Sequence, residues 1–493
     1  MIQKRKEFPR REVMSKKNLQ WSSALLFALF LLAGALAQNV TNDLSSESAT
    51  ATLPAFIEPL ATSLSFPNGG SVIGIAKGDF NGDGQLDLAV TQVTTVQNVG
   101  DRGFVSVLLG NGDATFRPPS NLPITYDATL GGFARGILAK DFDRDGILDL
   151  VVDVGEQRKV LFFKGRGDGT FNDPASFGTI DRSAGVQAAD LNGDGFLDLV
   201  TVNSISGDHS VSVLLGNGDG TFKPATTYAT NMAPQSIALV DVDGKNRADI
   251  LVGCYGDGNN QPTIDVLLNN GSGAFGPAAK FTQRVQVLGL YAADFDGDGK
   301  VDVVVTGFGG PTNRSLVFIK GNGDGTFLSP PDQNFQPVED IPVGSTRFSE
   351  NVAPDLDGDG RPDVVVNYGG NLNIVTVGLG RGDGHFNLQE LVASNGPGFA
   401  QDSRGNTPIA DGAGTNTTIS GDFNGDGKQD LIVGSFQHDR QGGLSILVGL
   451  GQGKFLAPRG FGLMSGSGFF YTGSTDRSTA LGDFNGDGKL DLV

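Results

Sequence analysis

Cysteine is almost absent from this chain: Cys254 is the only one, so no disulfide can form within it. Small exported domains often lean on disulfides. A chain without them needs a larger core or bound metal, and Cys254, after a strand-like Asp-Ile-Leu-Val-Gly run, reads as a buried structural thiol. Tryptophan is equally scarce, with Trp21 alone, and histidine is limited to His209, His385 and His438, far apart and with no shared motif. No G-x-S-x-G, H-E-x-x-H or phosphate-cradling glycine loop stands in a strand–helix context, so the sequence offers no catalytic constellation. Positive charge is deficient as well. Lys and Arg number 36 against 55 Asp and Glu, for a net charge of −19, which argues against nucleic acid as a partner because the field that releases phosphate counterions is missing.

Long apolar runs are lacking except near the N-terminus. Lys4, Arg5, Lys6, Arg10, Arg11, Lys16 and Lys17 precede the apolar stretch 24–37, which ends in Ala35-Leu36-Ala37. This is the pattern of a signal peptide over residues 1–37. The apolar stretch is short for a membrane span, and a retained signal anchor is the alternative. The expected product is secreted or held at the cell surface, outside the cytoplasm, with no transmembrane segment after cleavage. Residues 38–54, rich in Ser, Thr, Asn and Ala, read as a flexible leader to a repeat domain over 55–493.

What the chain has in excess is glycine, 74 residues without a G-X-Y period, together with acid gathered into one recurring nine-residue stretch. The fullest copy is Asp294-Phe-Asp296-Gly-Asp298-Gly-Lys300-Val-Asp302. Side chains at positions 1, 3, 5 and 9, with the carbonyl of position 7, can converge on a hard cation that wants six to eight oxygens, and Gly299 at position 6 allows the sharp turn. The following Val-Asp-Val-Val-Val is strand-like, so this is a calcium loop within a β-hairpin. Copies begin at Asp79, Asp141, Asp190, Asp241, Asp294, Asp355, Asp422 and Asp483, at steps of 49 to 67 residues. Together they hold 27 of the 55 acidic residues, which are better read as ligands than as a general acidic surface.

The expected ligands follow loop by loop. The first loop offers Asp79, Asn81, Asp83, Asp87 and the Gln85 carbonyl, and the second Asp141, Asp143, Asp145, Asp149 and the Ile147 carbonyl. The third has Asp190, Asn192, Asp194, Asp198 and the Phe196 carbonyl, and the fifth Asp294, Asp296, Asp298, Asp302 and that of Lys300. The sixth supplies Asp355, Asp357, Asp359, Asp363 and the Arg361 carbonyl; the seventh, Asp422, Asn424, Asp426, Asp430 and that of Lys428. The eighth supplies Asp483, Asn485, Asp487, Asp491 and the Lys489 carbonyl. The fourth departs from the pattern, with Lys245 at position 5 and Asn246 at position 6. It is expected to be metal-free, Lys245 replacing the ion as partner of Asp241, Asp243 and Asp249. Up to seven structural Ca²⁺ ions are therefore expected.

A second signature follows each loop, as in Leu-Leu-Gly-Asn-Gly-Asp-Gly-Thr-Phe at 214–222. Its glycines suit a tight hairpin and its closing Phe can pack between sheets. Two copies contain Arg-Gly-Asp, at 166–168 and 381–383, where others have Asn-Gly-Asp, and are read as turns. Each unit then resolves into four short strands; in the third these are 184–190, 197–202, 210–215 and 221–228. Repeats of this length imply a radial array, an all-β propeller of seven to eight four-stranded blades with calcium-binding hairpin loops. Residues 55–68 resemble a fourth strand able to complete the last blade. Eight loops but only seven complete units lean the arithmetic towards eight blades, and the end at Val493 also fits a truncated form of a longer protein.

The paired signatures D-[FL]-[ND]-x-D-G-x-x-D and G-[NR]-G-D-G-x-F resemble the FG-GAP/VCBS repeat family, similar to the integrin α-subunit propeller. The resemblance covers about residues 55–493, implies a propeller with Ca²⁺ in the loops between first and second strands, and favours seven blades. Such a chain is expected to be a binding or adhesion module. Its partner, a protein slightly ahead of a glycan since Trp21 lies in the signal peptide, is expected on the face opposite the calcium loops. That face would carry the variable segments 91–103, 254–263, 332–352, 392–418 and 460–479, with His209, Tyr255, Tyr368, Phe436, His438, Arg440 and Tyr471 as candidate contacts. A propeller-based polysaccharide lyase or dehydratase, or a non-catalytic module of a larger surface enzyme, stands as the alternative.

Overall fold

A computed structural model describes most of residues 71–456, together with Leu64–Ser65, Leu481–Gly482 and Asp491–Leu492. The longer stretches outside the description are 1–63, 329–352, 393–412 and 457–480, so the signal peptide, the leader and most of the eighth loop fall outside it. The described residues all belong to the compact unit Pro59–Val493.

Apolar second strands set the architecture. Asp149–Val154, Asp198–Asn203 and Asp249–Cys254 are buried at every position. A strand covered on both faces reads as a continuous apolar run, whereas the fourth strands Ala175–Gly178, Thr226–Ala229 and Ala279–Thr282 are largely exposed. Sheets with buried middles and an exposed outer edge must stack face to face, and seven of them do. Blade 1 begins at Ser71–Gly78, blade 2 at Ile137–Lys140, blade 3 at Ser183–Ala189, blade 4 at Pro234–Val240 and blade 5 at Gln286–Ala293. Blade 6 comprises Val364–Asn367, Ile374–Gly380 and Phe386–Val392, and blade 7 begins at Ala413–Gly421. Within each, neighbouring strands pair antiparallel, in chain order except for the outermost strand of blade 7; five blades have four strands, and blades 5 and 6 have three among the described residues. In the third unit the strands lie at Ser183–Ala189, Asp198–Asn203, Ser210–Leu214 and Thr226–Ala229, within a few residues of the sequence expectation except that the fourth begins later. The segment before it is a turn closed by a bridge between Gly216 and Phe222.

Seven apolar clusters lie between seven sheets, one for each adjoining pair. A closed ring requires this equality, because an open row of seven would have six. The seventh cluster joins Ile419, Phe423 and Ile446 of blade 7 to Val72, Leu88 and Val90 of blade 1. Blade 7 also takes its fourth strand from the start of the domain: Leu64 and Ser65 pair with Leu444 and Gly443. The β-propeller therefore has seven blades and closes by shared sheet at blade 7 rather than at an eighth unit. Of the eighth unit, the described residues show only Leu481–Gly482 paired with Asp491–Leu492. The segment 91–103, expected as a variable connection, is instead mostly a long hairpin, with Asp87–Val96 and Gly100–Leu108 paired out to Val96 and Gly100.

Neighbouring blades are tied by a recurring backbone bond. Gly169, in the second signature of blade 2, donates its N–H to the carbonyl of Phe80 in the first loop of blade 1 at 2.9 Å. Gly325 to Val242 and Gly384 to Phe295 repeat it, and Ala114 to Phe423 at 3.0 Å repeats it across the closure. Phe171 packs edge-on against Phe80, with ring centroids 5.6 Å apart, as Phe386 does against Phe295.

Gly169 has φ +80°, and a Cβ there would stand 2.8 Å from Leu109 of the neighbouring blade. Gly169→Ala is therefore expected to destabilise the domain by about 1–3 kcal/mol. Gly178→Ala, where a Cβ meets nothing within 4 Å, should be near neutral. Chemical denaturation of both variants checks the contrast; equal midpoints would refute it.

Candidate metal centres

Each of the seven described loops is wound around its first aspartate. In loop 1, Asp79 Oδ1 accepts the N–H of Gly82 at 2.7 Å and that of Asp83 at 3.1 Å, and Oδ2 accepts that of Gly84 at 2.8 Å. Asp294 repeats the pattern with Gly297, Asp298 and Gly299. In all but the fourth of these loops, position 3 accepts the N–H of position 5, as Asn81 does from Asp83 at 2.9 Å, and position 5 accepts that of position 7, as Asp83 does from Gln85 at 2.9 Å. These local bonds compete well with water because Asp and Asn side chains readily close turns on their own backbone. They leave the remaining lone pairs on one side of the loop.

The aspartate at position 9 does something different. Asp87, Asp149, Asp198, Asp249, Asp302, Asp363 and Asp430 are all fully buried. One oxygen of each accepts the N–H of position 2, from Phe80, Phe142, Leu191, Val242, Phe295, Leu356 or Phe423, at 2.6–3.1 Å. The other accepts an N–H from the second signature, from Gly110, Gly165, Gly216, Asn269, Gly321, Gly380 or Gly449, at 2.7–2.9 Å. One carboxylate thus clamps the two turns of a blade side by side on one face. Sequence reasoning treated it as a ligand alone. The signal for the second role was available, since an Asp that opens an apolar strand run must be buried and must find donors there.

Oxygens from Asp141, Asp143 and Asp149 lie within 4.8 Å of one another, as do those from Asp294, Asp296 and Asp302, from Asp355, Asp357 and Asp359, and from Asp241, Asp243 and Asp249. The donors are all hard oxygens, and basic side chains already stand among them. The Lys164 ammonium bonds Asp143 and lies 2.7 Å from Asp145, and Lys320 does the same at Asp296 and, at 2.8 Å, Asp298. The cradle therefore attracts cations, and the donor set fits Ca²⁺. In the fourth loop the Lys245 ammonium reaches Asp243, and its backbone N–H donates to Asp241 at 3.0 Å. Asp249 is engaged as the clamp, by Val242 and Asn269. The eighth loop's Asp483, Asn485, Asp487 and Lys489 lie outside the described residues.

The second-signature acids close their own turns instead. Asp168 accepts the N–H of Thr170 at 2.9 Å, and Arg166 Nε donates to Asn172 at 2.7 Å, so the first Arg-Gly-Asp is held as a turn. Arg381 pairs with Asp383 at 3.3 Å in the second. Among the candidate contacts, His209 Nδ1 accepts the N–H of Ala233 at 3.1 Å, joining blades 3 and 4, and the Tyr255 N–H donates to the Ala233 carbonyl. Phe436 lies in the second strand of blade 7, and Tyr368, His438, Arg440 and Tyr471 fall outside the described residues. Cys254 is fully buried, with its thiol pushed up by desolvation, as a structural cysteine requires. A cavity of about 620 Å³ lies among the first strands of blades 1, 2, 3 and 7; Lys77, Lys140, Gln187 and Ser420 help line it. Among the described residues no helix is long and apolar enough to cross a membrane.

Burial gives the clamps a pH signature. It pushes Asp149, Asp198, Asp302 and Asp363 up to about 6, against two backbone hydrogen bonds that pull the other way, with neighbouring loop carboxylates adding to the rise. A folded-state pKa above the unfolded value means that the folded chain binds more protons between the two, so stability falls as pH rises through that window. The acids held low, Asp145 and Asp298 chiefly by their lysine partners, lose their contribution only below the ordinary carboxylate range. In EDTA the melting temperature is therefore expected to rise as pH is lowered from about 7 to about 5. A monotonic fall over that interval in a thermal scan would contradict this account.

Comparison with known proteins agrees with this geometry. The family model described as FG-GAP-like repeat matches residues 154–201, 202–252, 241–305 and 422–493. Human integrin alpha-IIb is 32% identical over 156 residues, covering 28% of this chain and 15% of that protein. Cartilage acidic protein 1 of Xenopus tropicalis is 26% identical over 338 residues, covering 61% of this chain and 48% of its own length. The chain thus spans less than half of either curated relative. Among solved structures, a lectin of Agrocybe aegerita studied for its recognition of non-reducing terminal N-acetylglucosamine aligns with a TM-score of 0.41 at 22% identity, over 64% of this chain and 80% of that one. With the two signatures recurring around a seven-bladed ring, the chain carries FG-GAP-like repeats.

Proposed function

We propose that the chain is an exported, calcium-stabilised β-propeller that serves as a binding or adhesion module for a protein or glycan partner. The observation that carries this reading is the repeated pairing of a clamped aspartate with a preformed oxygen cradle, loop after loop, on one face of the ring. Calcium would be held by positions 1, 3 and 5, with the position-7 carbonyl and position 9 where their oxygens reach. When bound it neutralises three or four crowded carboxylates and fixes the hairpin tip; its role here is structural. The N-terminal pattern supports export, and the similarity to an integrin α-chain and to cartilage acidic protein supports a binding rather than a catalytic role. The face opposite the loops, with the connections from second to third strands, is the surface assigned to the partner, and a protein is favoured over a glycan because the mature chain lacks tryptophan.

Calorimetric titration of the mature chain with CaCl₂ tests the calcium reading, together with thermal melts in excess Ca²⁺ and in EDTA. Each site filled to 100 times its Kd adds about 2.7 kcal/mol to the folded state, so six or seven filled loops should raise the melting temperature strongly. Binding of one ion or none, with coincident melts, would sink it. A protein-interaction screen and a glycan array, each read with the calcium-loaded protein, separate the two partner classes.

A further inference from the structure

The loops differ in what stands beside them. The residue before the first glycine of the second signature, or before Asn269 that replaces it in blade 4, is Leu109, Leu215, Leu268, Leu379 or Val448 in blades 1, 3, 4, 6 and 7, but Lys164 in blade 2 and Lys320 in blade 5. Four of these aliphatic side chains have a structural task. Leu109, Leu215, Leu268 and Leu379 cover the turn glycine of the following blade, at Gly169, Gly273, Gly325 and Gly453. In blades 2 and 5 that task passes to the residue two places earlier: Phe162 covers Gly220 and Phe318 covers Gly384. The corresponding positions elsewhere are Val107, Val213, Val266, Val377 and Ile446. A larger side chain at one place thus releases the other for lysine, and it does so in both blades.

The released lysines point at the metal cradle. Each ammonium bridges positions 3 and 5 of its own blade's loop, Asp143 and Asp145 or Asp296 and Asp298, while about two-fifths of the lysine side chain stays exposed. Both loops carry Asp rather than Asn at position 3, giving four carboxylates where loops 1, 3 and 7 have three. Other basic groups near the loops touch one carboxylate each, as Arg361 does at Asp359 and Lys428 at Asp426.

We propose that Lys164 and Lys320 are tethered counter-cations that compete with calcium, dividing the loops into two classes. The inference rests on the calcium reading above for its competitive half. Loops 1, 3, 6 and 7 depend on the metal for charge neutralisation. Loops 2 and 5 hold their shape on the protein's own ammonium, and a divalent ion must displace it, breaking two charge-assisted hydrogen bonds per site. The propeller therefore keeps two ordered loops in calcium-poor medium, and its sites fill in two stages as calcium rises.

The test compares the intact mature chain with the Lys164→Met/Lys320→Met variant, methionine being close in size and uncharged, and with Lys164→Arg/Lys320→Arg as the charge-keeping control. CaCl₂ is titrated by calorimetry, and melts are run in EDTA. The expected result is that two sites of the Met variant bind calcium about tenfold more tightly than in the parent, while its melting temperature in EDTA falls and the Arg variant stays near the parent on both. Calcium binding with an unchanged isotherm overturns the competition and leaves the calcium reading standing. If neither protein binds calcium, that reading fails by itself, and the EDTA melt then decides the lysines: a lower melt in the Met variant keeps them as resident cations, and an unchanged one overturns the proposal. Should the double variant fail to fold, the two single Lys→Met variants carry the same comparison.

Discussion

A buried carboxylate bridging two backbone turns is the interaction on which each blade depends. Removing an aspartate from water is costly unless its oxygens are answered, and here each clamp is answered by two N–H groups from different hairpins. The bond from position 2 fixes the tip of the first hairpin, and the bond from the second signature brings the other hairpin beside it. Position 2 then offers its carbonyl to the next blade, as Phe80 does to Gly169. Register within a blade and contact between blades are thus set through the same few atoms. Burial still wins over those hydrogen bonds in setting the acidity of the clamps, so the fold tolerates strained charge at its most repeated position.

The ring follows from sheets that are apolar on both faces. Every described blade presents Val, Leu, Ile or Phe to both neighbours, and only closure covers all of those faces. Closure is made twice over, by the cluster between blades 7 and 1 and by Leu64–Ser65 completing blade 7. The Ala114 to Phe423 bond shows that the last junction is built like the others, although Ala114 holds a positive φ of 63° where the other full signatures place glycine or, in blade 4, glycine again at Gly273.

The acidic loops gain meaning from what surrounds them. Crowded carboxylates repel one another, and the chain meets that repulsion in more than one way: local N–H donors in every described loop, Lys245 in the fourth, Lys164 and Lys320 in the second and fifth. The loops that look richest in ligands by sequence are also those most often supplied with a cation by the protein. Counting acids alone leaves those cations out.

The sequence by itself determined the repeat, the strand-rich unit, the position of the loops and the special character of the fourth, because all of these rest on local spacing and on residues near one another in the chain. The strand character of 55–68 was legible too, but only the tertiary structure decided that the ring closes at seven, since the pairing of Leu64 with Leu444 of blade 7, and not with an eighth unit, spans almost the whole domain. It likewise decided that position 9 is a clamp, because the donor from the second signature lies 16 to 23 residues away. The lysines of blades 2 and 5 were visible as letters, but their direction was not. It is set by Phe162 and Phe318 taking over the contact with the next blade, an exchange that exists only when two sheets are packed together.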